Sequence, residues 1–233
     1  MLAGGKGTRL GKKTQDIPKP MLPIGGRPFL ARLMDYWIGQ GVRHFVLAVG
    51  YRHSVVHDYF GDRYESASLE YSFETALLGT GGGLLLAQEK LKSQDAFLVL
   101  NGDTFFEVAL QDMRRYHQAK QAIATLALAT VTDAARYEKI EIAADGRILA
   151  FMPRGIGKSA AQINGGVYLL NRGWHIGLGH SAGEPASLEQ ELFPALLKSG
   201  RPVYGFAAGA RFLDIGTPED FKKAAEFFNS GKQ

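Results

Sequence analysis

The stretch LAGGKGTRLGKKTQDIPKP, residues 2–20, joins a glycine-rich loop to a lysine held between two prolines. Glycine is costly to order, so a run of glycines beside cations indicates a backbone that must approach an anion closely. Proline fixes φ, which holds Lys19 in a defined extended backbone. Backbone N–H groups would line a polyphosphate, and Arg9 and Lys19 would neutralise it. The alternative is a proline-stiffened surface turn with solvated cations.

Beyond this loop, apolar runs rich in β-branched residues alternate with helical patterns. Buried strands are predicted over residues 44–51, 96–103, 122–131, 165–171 and 203–208. Helices are predicted over residues 27–41, 81–91, 187–200 and 217–228, with Ser187 and Gln190 as a capping box and Thr217 as an N-cap. The alternation predicts one doubly wound α/β domain over residues 1–233, with ligands bound beyond the carboxyl ends of the strands.

The start of the chain raises a separate question. A glycine loop of this kind should follow a strand, yet only Met1 and Leu2 precede the glycines. The first strand is therefore either very short or completed by residues that come before Met1. Our hypothesis is the second alternative.

Composition excludes several classes of protein. The 233 residues carry a net charge of +4 without a basic block, which argues against a nucleic-acid partner. The absence of cysteine excludes a disulfide framework and a thiolate metal site. No uncharged apolar run reaches the ~18 residues of a membrane span, and the first residues do not form a signal peptide. We expect a cytoplasmic protein that acts on phosphorylated small molecules, with no membrane partner.

Several segments, taken together, resemble the sugar-1-phosphate nucleotidyltransferases. LAGGKGTRLGKKTQDIPKPMLPI (2–24) is similar to the family signature, and further segments follow in family order: LGTGGG (78–83), LNGDT (100–104), INGGVYLL (163–170), SLEQELFPAL (187–196) and FLDIGTPEDF (212–221). The chain looks most similar to the D-glycero-D-manno-heptose 1-phosphate guanylyltransferases. The resemblance implies a single-domain, Rossmann-like, doubly wound mixed sheet, with a small β excursion at about 136–170 forming part of the sugar site.

The resemblance also implies a reaction and its residues. A nucleoside monophosphate passes from an NTP to a sugar 1-phosphate, giving an NDP-sugar and pyrophosphate. Catalysis is assigned to Arg9, Lys19 and Asp103. Nucleotide binding is assigned to Leu2, Ala3, Gly4, Gly5, Gly7, Thr8, Arg9, Lys19, Gly79, Thr80 and Gly81. Sugar-phosphate binding is assigned to Arg154, Asn164, Gly165 and Glu189.

The cofactor that the resemblance implies is Mg²⁺, held by Asp103 and Asp214. Both residues end an apolar stretch, and Mg²⁺ prefers hard oxygen ligands from one or two carboxylates together with phosphates. Either aspartate alone would equally suit a turn or a cap.

Two positions depart from the family pattern. Relatives usually carry Glu-Lys where this chain has Pro153-Arg154, and they often carry glycine where it has Glu138. Arg154 keeps the positive charge but presents a planar fork in place of a point charge. The carboxylate of the family pair is missing from position 153.

Other functions remain open at the level of sequence. The chain could be a uridylyl- or guanylyltransferase acting on mannose or N-acetylmuramic acid 1-phosphate. It could be a non-catalytic regulatory subunit that binds sugar nucleotides, although the intact set of Arg9, Lys19, Asp103 and Asp214 argues against this. A glycosyltransferase would typically hold its metal with Asp-x-Asp, whereas Asn101 stands two residues before Asp103. The base and the sugar stay open, and the sequence is compatible with a homo-oligomer.

Overall fold

The computed structural model describes residues 1–5, 7–91, 95–155, 159–209 and 211–230. The strands, in chain order, are β1 Pro23–Ile24, β2 Arg27–Pro28, β3 His44–Val49, β4 Arg63–Tyr64, β5 Ala67–Phe73, β6 Ala96–Leu100, β7 Thr104–Phe106, β8 Ala124–Val131, β9 Lys139–Ile142, β10 Ile148–Met152, β11 Ala161–Asn171, β12 Val203–Ala207 and β13 Phe212–Asp214. The α-helices are α1 Phe29–Gly39, α2 His53–Phe60, α3 Gly79–Gln88, α4 Leu110–Ala119, α5 Phe193–Lys198 and α6 Pro218–Asn229. Thr8–Thr14 and Lys19–Met21 form 3-10 turns, and Leu188–Leu192 forms a π-helical turn.

The strands build a mixed sheet around β11. The order is β10-β9-β11-β8-β12, and β6 also pairs with β11. β11 is antiparallel to β6, β8 and β9, whereas β12 is parallel to β8 and β3 is parallel to β5. All five strands predicted from apolar runs are present, and the predicted doubly wound mixed α/β architecture is confirmed.

The opening residues join the sheet around β11 to a second, three-stranded sheet of order β3-β5-β4. Leu2 forms parallel bridges to Ala48 of β3 and to Asn101 after β6. Its N–H donates to the Leu100 carbonyl at 2.8 Å, and the Ala3 N–H donates to the Ala48 carbonyl at 2.8 Å. On the far side of Met1 from the glycines, a groove of about 550 Å³ continues between β3 and β6, lined by residues of both strands. The hypothesis that residues precede Met1 stays a prediction.

Helix α1 shows how the core is formed. Its apolar side chains recur at helical spacing and give one buried stripe: Phe29, Leu30, Leu33, Met34 and Trp37. This stripe packs with Phe105 and Phe106 of β7 in one apolar cluster. A second cluster lies on the other face of the sheet, where Tyr168 of β11 meets Phe193 of α5. Among the helices of the described ranges, none is long and apolar enough to cross a membrane.

The segment predicted as a single helix over 187–200 is divided. Ser187 caps it as expected, since its hydroxyl accepts from the Gln190 N–H at 3.1 Å. The reciprocal acceptor is Glu191, not Gln190, because its carboxylate receives the Ser187 N–H at 2.9 Å. The first turn is π-helical, with the Phe193 N–H donating to the Leu188 carbonyl. Pro194 has no N–H to continue a regular ladder, and this accounts for the widened turn.

Candidate active site

A cleft of about 460 Å³ opens where β3, β5 and β6 end, beside the opening residues. This volume suits a small-molecule ligand. Ten residues predicted for nucleotide or metal binding line it: Leu2, Ala3, Gly4, Gly5, Gly7, Thr8, Lys19, Gly79, Thr80 and Asp103. The cleft is also lined by residues for which the sequence predicted no binding role: Pro20, Glu74, Leu77, Asn101 and Gly216.

The glycine loop folds back against Lys19. Gly7 has φ +64°, a left-handed conformation that favours glycine, and a Cβ there would lie 2.8 Å from the Lys19 Cβ. The Thr14 hydroxyl lies 3.0 Å from the Gly7 carbonyl, to which it donates. Contacts of Gly7 with Thr14 and Lys19 thus hold the glycine loop in its folded conformation. The side chain of Arg9 lies outside what the structure describes, so its predicted role stays a prediction.

Gly81 differs from its neighbours in the predicted nucleotide set. It lies in the first turn of α3, buried, with its N–H donated to the Ala186 carbonyl at 2.8 Å. Thr80, one residue earlier, lines the cleft. The Glu74 carboxylate accepts the Leu78 N–H at 3.3 Å ahead of the same helix, and burial raises the pKa of Glu74.

Lys19 forms the charged centre of the cleft. Its side chain is only 11% exposed, and its Nζ lies 2.6 Å from Asp103 Oδ2 and 3.9 Å from Asp214 Oδ1. The two carboxylates are brought together because β13 pairs antiparallel with β7, which places Asp214 opposite Thr104. Burial raises the pKa of Asp214, as does the charge of Asp103, while Lys19 lowers it. The buried position of Lys19 excludes the surface-turn alternative.

The carboxylate pair fits Mg²⁺ in one specific way. Within the described ranges, no group of three or more His, Asp or Glu side chains could hold a metal by itself. Mg²⁺ commonly takes one or two carboxylates and completes its octahedron with water and substrate phosphates. Asp103, which lines the cleft, and Asp214, which lies beside it across Lys19, match that donor set.

Two of the predicted sugar-phosphate residues meet at Tyr168. The Asn164 amide donates to the Tyr168 hydroxyl at 2.9 Å, and that hydroxyl lies 3.4 Å from Glu189 Oε1. The other Glu189 oxygen accepts from the Thr80 hydroxyl at 2.7 Å. Gly165, next to Asn164, packs so closely on Phe106 that a Cβ would lie 2.5 Å from that ring. Asn164 and Glu189 are therefore linked to the cleft wall.

Arg154 is placed differently. It is exposed, and its Nε lies 3.7 Å from Glu138 Oε1. The two positions at which the chain departs from the family pattern therefore pair with each other. Because Arg154 is exposed and the two atoms are 3.7 Å apart, this pair contributes little to stability. Arg154 is not among the residues that line the 460 Å³ cleft.

Comparison with known proteins identifies the family. The sequence matches the nucleotidyl transferase family over residues 1–231. The chain belongs to that family. The sequence prediction of a nucleotidyltransferase is thereby confirmed, and nucleotidyltransferases of this family generally use a divalent metal.

Individual relatives of this nucleotidyltransferase cover nearly its whole length. It is 38% identical to the D-glycero-alpha-D-manno-heptose 1-phosphate guanylyltransferase of Aneurinibacillus thermoaerophilus, over 96% of this chain and 95% of that one. It is 35% identical to the mannose-1-phosphate guanylyltransferase of Mycobacterium tuberculosis, but it spans only 62% of that protein. The crystal structure of HddC from Yersinia pseudotuberculosis complexed with GMP-PN superposes with a TM-score of 0.85, at 32% identity and 97% coverage of each chain.

Two further residues of this nucleotidyltransferase were missed by the sequence analysis. Asn101 was noted only as the residue where a different enzyme class carries aspartate. Tyr168 was counted only as part of an apolar strand. The signal that could have found Tyr168 is its hydroxyl, since a buried tyrosine O–H usually requires a partner.

Proposed function

We propose that this protein transfers GMP from GTP to D-glycero-D-manno-heptose 1-phosphate, releasing pyrophosphate. The observation that carries the proposal is the buried Lys19 beside Asp103 and Asp214 in a cleft walled by the glycine loop. The choice of base and sugar is supported by the Aneurinibacillus relative, because this chain covers 95% of that protein. The mannose-specific relative is longer, and this chain covers 62% of it.

The reaction requires no protein nucleophile. A sugar-phosphate oxygen, already anionic at neutral pH, attacks the α-phosphorus, and the bond from that phosphorus to the bridging oxygen breaks. The electron pair of that bond leaves with pyrophosphate. Catalysis then rests on alignment and on neutralising charge as it shifts between oxygens.

The residues of this chain divide that work between them. The amides of Gly4, Gly5 and Gly7 would bind the polyphosphate, with Arg9 on the departing pyrophosphate. Lys19 would neutralise the α-phosphate side. Mg²⁺, when held by Asp103 and Asp214, would offset charge on the phosphate oxygens.

The sugar side is proposed on a different group of residues. Asn164 and Glu189 would hydrogen bond to sugar hydroxyls, and Gly165 would let β11 pack closely on Phe106 beside them. Arg154, oriented by Glu138, would meet the sugar phosphate from the β9–β10 side. Glu138 then supplies a carboxylate close to the position where relatives carry it next to their lysine.

A substrate panel tests the proposal. The purified protein is incubated with each of four NTPs and with heptose, mannose and N-acetylmuramic acid 1-phosphates, and pyrophosphate release is measured. We expect the highest kcat/KM for GTP with the heptose phosphate. A preference for mannose 1-phosphate would replace the sugar assignment. Absence of pyrophosphate from every pair would favour the regulatory-subunit alternative.

The metal assignment is tested in the same assay. Asp103→Asn should keep the fold and lose most Mg²⁺-dependent release, because an amide lacks the charge that binds the ion. Asp112→Asn, an exposed carboxylate of α4 that pairs with Arg115, is the matched control. Near-normal turnover of Asp103→Asn at limiting Mg²⁺ would contradict the assignment.

A further inference from the structure

The hydroxyl of Tyr168 contacts three polar side chains behind the cleft. It accepts the Asn164 amide at 2.9 Å and the Asn101 amide at 3.4 Å, and it lies 3.4 Å from Glu189 Oε1. Burial raises the pKa of Tyr168 well above its ordinary value, so the hydroxyl keeps its single proton. That proton goes to the Glu189 carboxylate while the lone pairs accept from the two amides, which satisfies the hydroxyl completely.

The geometry of β11 brings these groups together. Four residues of a regular strand span about 13 Å, too far for Asn164 to reach the hydroxyl of Tyr168 easily. The pairing of β11 with β8 shifts register between these two residues. Gly166 takes φ +73° within this bulge, and its N–H donates to the side-chain oxygen Oδ1 of Asn164 at 2.9 Å. Bulges re-aim side chains beside functional sites, and this one turns Asn164 back toward Tyr168.

One branch of the network reaches the nucleotide side of the cleft. Glu189 Oε2 accepts the Thr80 hydroxyl at 2.7 Å, and Thr80 in turn accepts the Leu188 N–H at 2.9 Å. Thr80 lines the cleft at the start of α3. The position of Thr80 is therefore tied through one carboxylate to the Tyr168 hydroxyl.

A second branch reaches the metal side. Asn101 lines the cleft two residues before Asp103, and its amide nitrogen donates to Tyr168. The side-chain oxygen Oδ1 of Asn101 is buried and has no hydrogen-bond partner among the residues that the structure describes. A buried acceptor without a partner is unfavourable, so the bond from the Asn101 amide nitrogen to Tyr168 is needed to hold this orientation of the side chain. Tyr168 thereby fixes the Asn101 side chain at the cleft.

We propose that Tyr168 is a positioning residue that couples the sugar-phosphate site to the nucleotide site. Its hydroxyl fixes Asn164 and Glu189 on the proposed sugar side and Asn101 and Thr80 on the nucleotide side. Binding on one side orders groups that the other side also uses. The proposal rests on the proposed function for the identity of the two ligands.

The test is the Tyr168→Phe variant, which keeps the ring and removes one oxygen. Affinity for a GTP analogue with a methylene between the α- and β-phosphates is measured by calorimetry, with and without the sugar 1-phosphate. In the wild type the sugar phosphate should tighten analogue binding about fivefold or more. In Tyr168→Phe this ratio should fall to about one, and kcat/KM for the sugar phosphate should drop roughly 10- to 100-fold.

Tyr71→Phe is the matched control. The Tyr71 hydroxyl is also buried, and it donates to the Gly61 carbonyl at 2.6 Å, away from the cleft. Tyr71→Phe should keep both the coupling ratio and the sugar-phosphate kcat/KM. A Tyr168→Phe variant that behaves like Tyr71→Phe in both measurements overturns the proposal.

A readout independent of turnover separates this proposal from the proposed function. The side-chain amide signals of Asn101 and Asn164 in nitrogen-15 NMR spectra report whether those groups are held. They should exchange faster with solvent in Tyr168→Phe than in Tyr71→Phe. A wild type that turns over no substrate pair defeats the proposed function alone, whereas unchanged amide exchange defeats the role of Tyr168.

Discussion

Lys19 and a divalent cation would use the same two carboxylates. The Lys19 ammonium lies 2.6 Å from one oxygen of Asp103 and 3.9 Å from one of Asp214. Mg²⁺ held by this pair would therefore repel Lys19 and favour its movement toward a phosphate. The ion pair gives Lys19 a defined resting position within the cleft.

This competition leads to opposite effects of Lys19→Ala on metal binding and on catalysis. Removing the ammonium should raise the affinity of the nucleotide-free protein for Mn²⁺ several-fold, because a positive charge leaves the site. The same variant should lose on the order of 10²–10³ in kcat, about 3–4 kcal/mol, since charge neutralisation in the transition state is lost. Lys19→Arg should rescue poorly because a planar fork replaces a point charge.

Electron paramagnetic resonance of Mn²⁺ and steady-state kinetics give the two measurements. Lys198→Ala, an exposed lysine at the end of α5, serves as the control and should change neither. A Lys19→Ala protein with weaker Mn²⁺ binding would contradict the competition. A Lys19→Ala protein that keeps full kcat would show that Lys19 only binds substrate and does not stabilise the transition state.

The site residues that could be predicted from the sequence are those whose neighbours in the chain indicate their role. Lys19 stands between prolines and Asp103 ends an apolar run, so neighbours in the chain reveal both. Tyr168 and Asn101 act through contacts between segments that are distant in the chain. The sequence around each of them predicts only a buried strand. The pairing of Arg154 with Glu138 was hidden for the same reason, since it depends on how β9 and β10 align.

At the scale of elements, the bulge of β11 connects backbone shape to the site. Gly166 has φ +73°, and a Cβ there would lie 2.6 Å from the Thr104 hydroxyl oxygen. Gly166→Ala should therefore lower the melting temperature by several degrees, since the left-handed conformation alone costs about 1–2 kcal/mol. It should also lower kcat/KM for the sugar phosphate, because Asn164 would turn away from Tyr168.

The Gly61→Ala variant separates the backbone penalty of a positive φ from the collision of the new Cβ with Thr104. Gly61 has φ +57° but no atom lies within 4 Å of a Cβ built there. It carries the same kind of backbone penalty without the collision. Melting curves and kinetics of both variants are compared, and equal losses of activity would show that the bulge does not position the site.

The helices and strands differ in how clearly the sequence predicts them. β3, β6 and β8 are continuous apolar runs, and these were predicted. Helix α4 was missed because only Leu110, Met113 and His117 are buried along it, a stripe too narrow to stand out. β7 and β13 are three residues each, and they become strands only by pairing with each other.

For the whole molecule, His117 makes stability depend on pH. It lies buried on α4, with Nδ1 2.7 Å from the Thr125 hydroxyl of β8 and Nε2 2.9 Å from Asn171 Oδ1 of β11. The Asn171 amide nitrogen donates to Ala122, so Oδ1 faces the ring and Nε2 carries the hydrogen. Burial lowers the pKa of His117, which keeps the ring neutral.

The sign of the effect follows from proton linkage. The unfolded chain binds a proton at His117 near its ordinary pKa of about 6.5, and the folded chain resists it. The stabilisation is present above that pH and is lost as the pH falls below it. The free energy of unfolding from urea titrations should drop more between pH 7.5 and 5.5 for the wild type than for His117→Gln. Parallel pH profiles would contradict this role.

The groove between β3 and β6 predicts an effect of lengthening the chain. An extended apolar segment of about five residues joined ahead of Met1 should lie in that groove and pair with both strands. The peptide bond also replaces an amino group whose pKa burial lowers to about 5. The melting temperature should rise, whereas a Gly-Ser extension of equal length should leave it unchanged. Equal melting temperatures for both extensions would count against the hypothesis.

The bridges from Leu2 to Ala48 and Asn101 also set an order of events during synthesis. The glycine loop is synthesised well before Asn101, its anchoring partner after β6. At about 5–20 residues per second, that wait lasts roughly 5–20 s. Until then the opening residues can pair only with β3, through Ala48. The loop proposed to bind phosphate thus gains its second anchor long after it has been translated.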